Sequence, residues 1–196
     1  MDYQLSDRIN AIQPSPTLAV TQKANELRQQ GKDVIGLGVG EPDFDTPDFI
    51  KEAAIQAIRD GKTKYTAVDG IDELKDAVIK KLQRDNNLSY ERKEIIVSAG
   101  GKHSIFNLLS AWLNPGDEVI IPAPYWVSYP DMTKLVGAEP VIVKAGIDQR
   151  FKITPEQLRE ALTDKTRLMF INSPSNPAGT AYTADELKAL AEVLRD

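Results

Sequence analysis

Short apolar runs alternate with amphipathic helical patterns along most of this chain, and this alternation limits the folds open to it. Four mostly apolar runs have the length of buried strands: residues 94–97, 118–121, 140–143 and 168–171. The segments between the last three repeat apolar residues at helical spacing, and capping boxes formed by Thr154 with Gln157 and by Thr183 with Glu186 predict the starts of two helices. Strands that alternate with helices form a mainly parallel sheet covered on both faces. The sequence therefore predicts an α/β fold, a three-layer sandwich with helices on both sides of the sheet.

The part of the chain before residue 94 is expected to be mainly helical. After an irregular arm over 1–16, the patterns predict helices over 17–30, 47–60 and 71–86 and a strand over 34–37. Thr46 is expected to cap the second helix, with Pro47 at its first position and Gly61 after its end. Buried stripes are expected on two of these helices: Ile50, Ala53, Ala54, Ala57 and Ile58 on the second, and Leu74, Ala77, Val78 and Leu82 on the third.

Composition excludes several classes of protein. The net charge of −5 argues against a nucleic-acid binder. Without cysteine there is no disulfide framework and no thiolate metal site, and with His103 as the only histidine a histidine-based metal site is not expected. No apolar run approaches the length of a membrane span, and the first five residues lack a signal pattern. These features predict a soluble, cytoplasmic protein.

Three unusual loops follow predicted strands, at residues 98–102, 122–126 and 172–179. Ligands of parallel sheets bind at the carboxyl ends of the strands, so these loops mark the expected site. In the first loop, Gly100, Gly101 and Lys102 stand between a strand pattern and a helix pattern. That order aims backbone N–H groups, a helix N-terminus and a cation at an anion. The residues alone also allow a plain Gly-Gly turn with no ligand.

Six motifs in order resemble the class I aminotransferases, which are pyridoxal-phosphate enzymes of fold type I, and most closely their bacterial aspartate aminotransferase subgroup. The motifs occupy residues 40–47, 64–65, 98–102, 115–119, 124–130 and 172–179. The resemblance implies the large domain of a PLP-dependent transferase, incomplete, with an N-terminal arm and a small-domain segment. It places the arm and small-domain segment at 1–46 and the first part of the large domain at 47–196. Ala178 departs from the family, which usually has Thr there.

The resemblance assigns three contacts to the cofactor, pyridoxal 5'-phosphate. It implies that Gly100, Gly101 and Lys102 hold the phosphate, that Trp126 stacks on the pyridine ring, and that Asn176 donates to the ring oxygen. Trp126 and Asn176 are then also substrate-binding residues. From the residues alone, Trp126 could equally be a core aromatic and Asn176 a turn residue before proline.

Tyr65 and Gly40 are further site residues by resemblance. Tyr65 matches the tyrosine that reaches the phosphate of the neighbouring subunit's cofactor, which implies a homodimer, and Gly40 matches a backbone contact near the substrate α-carboxylate. An exposed loop tyrosine and an ordinary loop glycine are the alternatives. His103 is expected to pack or to support the site, without a catalytic role. The family further implies cis peptide bonds at Ala123–Pro124 and Asn176–Pro177.

The predicted activity is transamination between an amino acid, aspartate, and a 2-oxo acid such as 2-oxoglutarate. Another fold type I enzyme, such as a lyase, and a non-catalytic fragment are the alternatives; neither a nucleic acid nor a membrane is an expected partner. None of the lysines matches the Schiff-base lysine of the family, so no catalytic residue is assigned. The chain is therefore expected to be an N-terminal half that does not turn over alone and that leaves strand edges exposed. An intact-mass measurement distinguishes a true 21.7 kDa fragment from a protein with the mass of a full-length family member.

Overall fold

The computed structural model describes residues 4–12, 14, 16–38 and 40–195. Within these residues the chain forms two compact units. The first combines the residues up to 14 with 105–195, and the second covers 16–104. All strands among the described residues belong to the first unit.

A three-stranded parallel sheet lies at the centre of the first unit. Its strands are β1 (Glu118–Ala123), β2 (Glu139–Lys144) and β3 (Thr166–Met169). β1 is the middle strand, with β2 and β3 parallel to it on either side. Parallel neighbours need crossover connections, and these contain two helices, α6 (Ser128–Leu135) and α7 (Pro155–Ala161). Three of the four predicted runs are therefore confirmed as strands.

β1 is buried on both of its faces, as its continuous apolar sequence predicts. Val119 and Ile121 belong to one core cluster and Ile120 to the other, and all three side chains are fully buried. Two helices complete the layers: α5 (Gly101–Trp112) and α8 (Ala184–Val193). The first cluster contains α5 and α6 side chains, and the second contains those of α7 and α8. The three-layer α/β fold is confirmed.

The helices α7 and α8 begin with the capping boxes that their sequences predict. Thr154 Oγ1 accepts the N–H of Gln157 at 3.3 Å, and Gln157 Oε1 accepts the N–H of Thr154 at 3.0 Å. At α8, Thr183 Oγ1 accepts the N–H of Glu186 at 3.2 Å and the Glu186 carboxylate accepts in return at 2.7 Å. Each N-cap side chain contributes about 1 kcal/mol by satisfying an amide that lacks a helical partner.

The N-terminal arm is not irregular throughout. Residues 1–3, 13 and 15 lie outside the described residues, and the described part contains a short helix, α1 (Asp7–Asn10). The Ser6 carbonyl accepts the N–H groups of Ile9 and Asn10, which closes the first turn of α1. The expectation of an irregular arm is therefore wrong over this stretch.

The described second unit contains three whole helices, the first turn of α5 and a short 3₁₀ turn but no strand. The helices are α2 (Pro16–Gln29), α3 (Asp48–Arg59) and α4 (Asp72–Asn86), and the 3₁₀ turn is Arg92–Glu94. The helix α3 begins one position later than predicted: Pro47 precedes it, and no side chain caps it. Gly61 follows its end at φ +75°, a left-handed conformation that glycine adopts without strain.

Two predicted strands, at 34–37 and 94–97, are not formed. Ile95 has an extended backbone, and Val97 donates its N–H to the carbonyl of Asp69 at 3.0 Å. A strand needs a neighbour to accept its hydrogen bonds, and the described residues of this unit provide none. The apolar residues at these positions are therefore present, but no hydrogen-bonded neighbour among the described residues pairs with them to form a sheet.

The predicted buried stripes of the second unit are largely exposed. On α3, Ile50 and Ile58 are 46% and 65% exposed, and only Ala57 of the five is partly buried. On α4, Leu74 and Ala77 are exposed, Val78 and Leu82 are partly buried, and Lys75 is buried instead. Amphipathic spacing identifies the apolar face of a helix, but burial requires another element to cover it.

Candidate cofactor site

The loops after β1 and β3 meet at the carboxyl end of the sheet and line a small cleft. Aromatic and amide side chains line most of it. The lining residues are Pro122, Pro124, Tyr125, Tyr129, Phe151, Phe170, Ile171, Asn172, Ser175, Asn176 and Tyr182. The sequence predicts a site formed by three loops, and two of these, at 122–126 and 172–179, contribute residues to this cleft.

Hydrogen bonds within the loop hold Asn176 in place. Asn172 Oδ1 accepts the backbone N–H of Asn176 at 2.8 Å. The N–H of Ser175 bonds to the carbonyl of Thr180 at 2.8 Å, and the N–H of Gly179 bonds to the carbonyl of Ser175 at 2.7 Å. The side chain of Asn176 is exposed and lines the cleft. Its amide group can therefore donate to a ligand without breaking a bond within the loop.

Trp126 lies beside an aromatic stack that extends to the same cleft. Its ring meets Tyr129 edge-on, with centroids 5.4 Å apart and planes at 89°. Tyr129 in turn stacks on Phe170 at 4.2 Å. Trp126 is partly buried against the core cluster that contains α5 and α6 side chains, so packing fixes one edge of the ring while part of its surface stays accessible.

The peptide bonds of these loops agree with the prediction and extend it. Ala123–Pro124 and Asn176–Pro177 are both cis, as expected, and Ser173–Pro174 is cis as well.

The glycine turn at the start of α5 belongs to the second unit. Gly100 has φ +92°, which favours glycine, and no atom lies within 4 Å of the position that a Cβ would occupy on Gly100 or Gly101. Lys102 follows, exposed, in the first turn of the helix. The Ala99 N–H donates to Nδ1 of His103 at 3.1 Å, so His103 supports the turn. The turn therefore has open space above a helix N-terminus, where an anion is favoured.

Tyr65 and Gly40 also belong to the second unit, and both lie in exposed loops. The side chain of Tyr65 is fully exposed, and the space around Gly40 is open. Of the predicted site residues, the first unit thus contains Asn176, which lines the cleft, and Trp126, which contacts the lining residue Tyr129; the second contains the glycine turn, Tyr65 and Gly40.

Comparison with known proteins identifies the family. The sequence profile described as "Aminotransferase class I and II" matches residues 32–196. The chain belongs to the class I and II aminotransferases.

Named relatives of this aminotransferase chain are similar over nearly its whole length. The aspartate/prephenate aminotransferase of Nitrosomonas europaea is 58% identical over 98% of this chain, which covers 48% of that protein. The crystal structure of the aspartate aminotransferase from Rhizobium meliloti has a TM-score of 0.94 at 48% identity, over 98% of this chain and 48% of that one. The structure of the Thermus thermophilus aspartate aminotransferase with maleate has a TM-score of 0.94 at 47% identity, and the match covers 99% of this chain and 51% of that one. The chain spans about half the length of the curated relatives it matches.

Membership of the aminotransferase family implies pyridoxal 5'-phosphate as the cofactor. This molecule combines a phosphate, an aromatic ring and a ring oxygen. The glycine turn fits the phosphate, because the space beside Gly100 and Gly101 is free and the absence of a Cβ leaves it open to a ligand. The partly exposed ring of Trp126 fits the aromatic ring, and the exposed amide of Asn176 fits the ring oxygen.

Several residues of this aminotransferase cleft have no clear sequence signal. Phe151 lines the cleft in a left-handed conformation, φ +57°, which is uncommon for a bulky side chain. Tyr182 Oη accepts the N–H of Ile153 at 2.9 Å, and its own N–H donates to Ser173 Oγ at 3.0 Å. Burial raises the pKa of the Tyr182 and Tyr129 hydroxyls, so both stay neutral. Asn172, by contrast, has a local signal, because it directly follows the predicted strand and lies four residues before Asn176.

Neither a membrane nor a metal is indicated by the described part of the chain. None of its helices combines the length and apolar character of a membrane span. Among the same residues, no three histidine or acidic side chains converge as ligands for a metal ion.

Proposed function

We propose that the protein containing this sequence catalyses pyridoxal-phosphate-dependent transamination of aspartate with a 2-oxo acid such as 2-oxoglutarate. One observation carries the proposal: Asn176, in the loop after β3, lines a cleft at the carboxyl end of the sheet, and Trp126, in the loop after β1, contacts Tyr129, which lines the same cleft. The 58% identity to the aspartate/prephenate aminotransferase of Nitrosomonas europaea supports the reaction. The maleate bound by the Thermus thermophilus structure is a dicarboxylate, which supports an acidic substrate.

The residues of this chain bind and orient the cofactor in this proposal. Gly100, Gly101 and Lys102 hold its phosphate through backbone N–H groups and the ammonium. Trp126 keeps the plane of the ring fixed, and Asn176 donates to the ring oxygen and stabilises negative charge there. When bound, pyridoxal 5'-phosphate supplies an electron sink for charge that develops at the substrate α-carbon.

Two further residues act at the edges of the proposed site. The Gly40 backbone lies near the substrate α-carboxylate, with Trp126 and Asn176 as its other neighbours. Tyr65 reaches the phosphate of the partner subunit's cofactor, so the protein is a homodimer in which each site needs two chains. The full exposure of Tyr65 supports this role, because a partner can reach it. We further propose a cytoplasmic location and a boundary between small-domain and large-domain segments after residue 46, just before α3 begins.

The direct test of the reaction uses the full-length protein and a panel of amino donors with 2-oxoglutarate. The expected result is formation of oxaloacetate from aspartate, with slower transfer from aromatic donors. Absence of transfer from aspartate, with transfer from another donor, would overturn the substrate assignment. Absence of transfer from every donor would overturn the reaction.

The cofactor contacts are tested separately by binding. The chain has two tryptophans, Trp112 and Trp126, so quenching of fluorescence by pyridoxal phosphate can be assigned by substitution. We expect strong quenching in the wild type and little in Trp126→Phe, where only Trp112 remains. Equal quenching in both proteins would contradict the stacking role of Trp126.

A further inference from the structure

The residues just before the glycine turn are held against a second turn that lies outside the glycine motif. Val97 donates its N–H to the carbonyl of Asp69 at 3.0 Å. The next residue, Gly70, has φ +105°, and a Cβ on it would lie 2.6 Å from Cγ2 of Val97. Only glycine therefore allows this approach. The turn at Asp69 and Gly70 thus packs directly on the residue three positions before Gly100.

A buried lysine fixes this second turn. Lys75, in the first part of α4, is only 5% exposed. Its Nζ donates to Oδ2 of Asp69 at 2.6 Å and lies 3.7 Å from Oδ1 of Asp72. A buried ammonium is stable only when it is paired, so the position of Lys75 and that of the Asp69 carboxylate depend on each other. The carbonyl that accepts from Val97 belongs to the same aspartate.

His103 holds the glycine turn from the other side. Its Nδ1 accepts the backbone N–H of Ala99 at 3.1 Å, and the backbone N–H of His103 donates to the carbonyl of Gly100 at 3.1 Å. The stretch between Val97 and His103 is therefore fixed at both ends, by Asp69 and Lys75 at one and by the imidazole at the other.

We propose that Lys75 and His103 are positioning residues of the phosphate-binding turn. The inference rests on the proposed function, since it takes Gly100, Gly101 and Lys102 as the phosphate contact. A turn that is ordered before binding loses less conformational entropy when the ligand arrives. Loss of Lys75 or His103 leaves the glycine motif intact, but the N–H groups of the turn are then no longer held in one arrangement. The loss of affinity is therefore expected only for a ligand that carries the phosphate.

The test compares pyridoxal phosphate with pyridoxal, which lacks the phosphate, for binding to the same set of proteins. We expect Lys75→Met and His103→Leu to weaken binding of pyridoxal phosphate by about tenfold or more and to leave binding of pyridoxal unchanged. Lys75→Arg keeps a cation for Asp69, and His103→Asn keeps an acceptor at the δ position, so both should bind nearly as the wild type does.

Arg92→Gln is the matched control. Arg92, in the 3₁₀ turn, pairs with Asp72 and Asp76 on α4 but not with Asp69, so its loss removes a cation that contacts the same helix as Lys75 without releasing the turn. We expect the ratio of the affinities for pyridoxal phosphate and pyridoxal to be the same in this variant as in the wild type. The same ratio of affinities in Lys75→Met, His103→Leu and the wild type would overturn the inference.

A measurement without ligand separates this inference from the proposed function. Hydrogen exchange of the amides at residues 97–103 reports the order of the turn itself. We expect faster exchange there in Lys75→Met and His103→Leu than in Arg92→Gln, and rescue in the two conservative variants. Unchanged exchange would overturn the positioning role even if the wild type binds pyridoxal phosphate. Failure of the wild type to bind pyridoxal phosphate, with faster exchange in both variants, would overturn the proposed function alone.

Discussion

The buried ammonium of Lys152 donates a hydrogen bond to the Glu186 carboxylate, and the two residues are 34 positions apart in the chain. Lys152 also lies 5.8 Å from the centroid of the Tyr182 ring. The pair therefore ties the segment before α7 to the first turn of α8, close to the loop that carries Asn176.

Replacing Lys152 by Met should lower the melting temperature of the protein. The change removes the cation that compensates the Glu186 carboxylate and frees the first turn of α8. Lys188→Met is the matched control, since Lys188 is an exposed lysine on the same helix. Thermal unfolding followed by circular dichroism should show a clear decrease for Lys152→Met and almost none for Lys188→Met. Equal melting temperatures for the two variants would show that the pair of Lys152 and Glu186 does not stabilise the protein.

The same pair predicts a loss of stability in acid. The hydrogen bond from Lys152, with a further one from the Thr183 backbone, lowers the pKa of Glu186 below its ordinary value of 4.5. The unfolded chain therefore takes up a proton at a higher pH than the folded chain does. Stability from this group is complete above the unfolded pKa and is lost as the pH falls through the folded pKa. Melting temperatures measured from neutral to acid pH should fall less steeply for Glu186→Gln than for the wild type; parallel curves would contradict the assignment.

Leu158→Ala should destabilise the first unit by about 2–5 kcal/mol, because its fully buried side chain leaves a cavity between α7 and the sheet. Leu194→Ala is the control: Leu194 follows α8 and is 51% exposed. Urea unfolding of both variants provides the measurement. A small effect at Leu158, equal to that at Leu194, would mean that this core relaxes to fill the space.

Gly100→Ala should cost about 1–2 kcal/mol of stability, whereas Gly101→Ala should be neutral or slightly stabilising. Both positions have open space for a methyl group, so the difference is conformational: Gly100 has φ +92° and Gly101 is the first residue of α5. Paired urea-unfolding curves test this. A larger loss at Gly101 than at Gly100 would contradict the left-handed conformation at Gly100.

Asn172→Leu should weaken binding of pyridoxal phosphate by up to about tenfold, because a net hydrogen bond is worth about that much. The Asn172 side chain accepts the N–H of Asn176, and without it the loop loses one anchor. Asn172→Asp keeps the oxygen that accepts and should bind nearly as tightly as the wild type. Fluorescence titration gives both constants. Weak binding by Asn172→Asp but not by Asn172→Leu would show that the charge matters and the anchor does not.

Local sequence signals predicted the first unit better than the second. The capping boxes at Thr154 and Thr183 depend on residues three positions apart, and the burial of β1 follows from its own composition. The strand predicted at 94–97 and the buried stripe of α3 failed for a different reason. Both depend on a neighbouring element that the pattern itself cannot contain.

The candidate site shows the same division. The glycine turn and the loops at Trp126 and Asn176 are visible as motifs, while the residues that hold them come from elsewhere in the chain. No spacing rule connects Lys75 to the turn at Asp69 and Gly70, or Lys152 to Glu186, because these pairs form only after the segments have folded together. The sequence could therefore indicate which residues meet the ligand but not which ones orient them.

The two-sided burial of β1 means that this strand tolerates a change of residue far better than a change of length. Aliphatic residues can replace one another at Val119, Ile120 or Ile121 with only a modest repacking of one cluster. A single inserted residue would instead turn every following side chain to the opposite face. It would also shift the loop that begins after β1, and with it Trp126, by one position along the sheet. Within related chains, we therefore expect the number of residues between Glu118 and Trp126 to vary less than their identities.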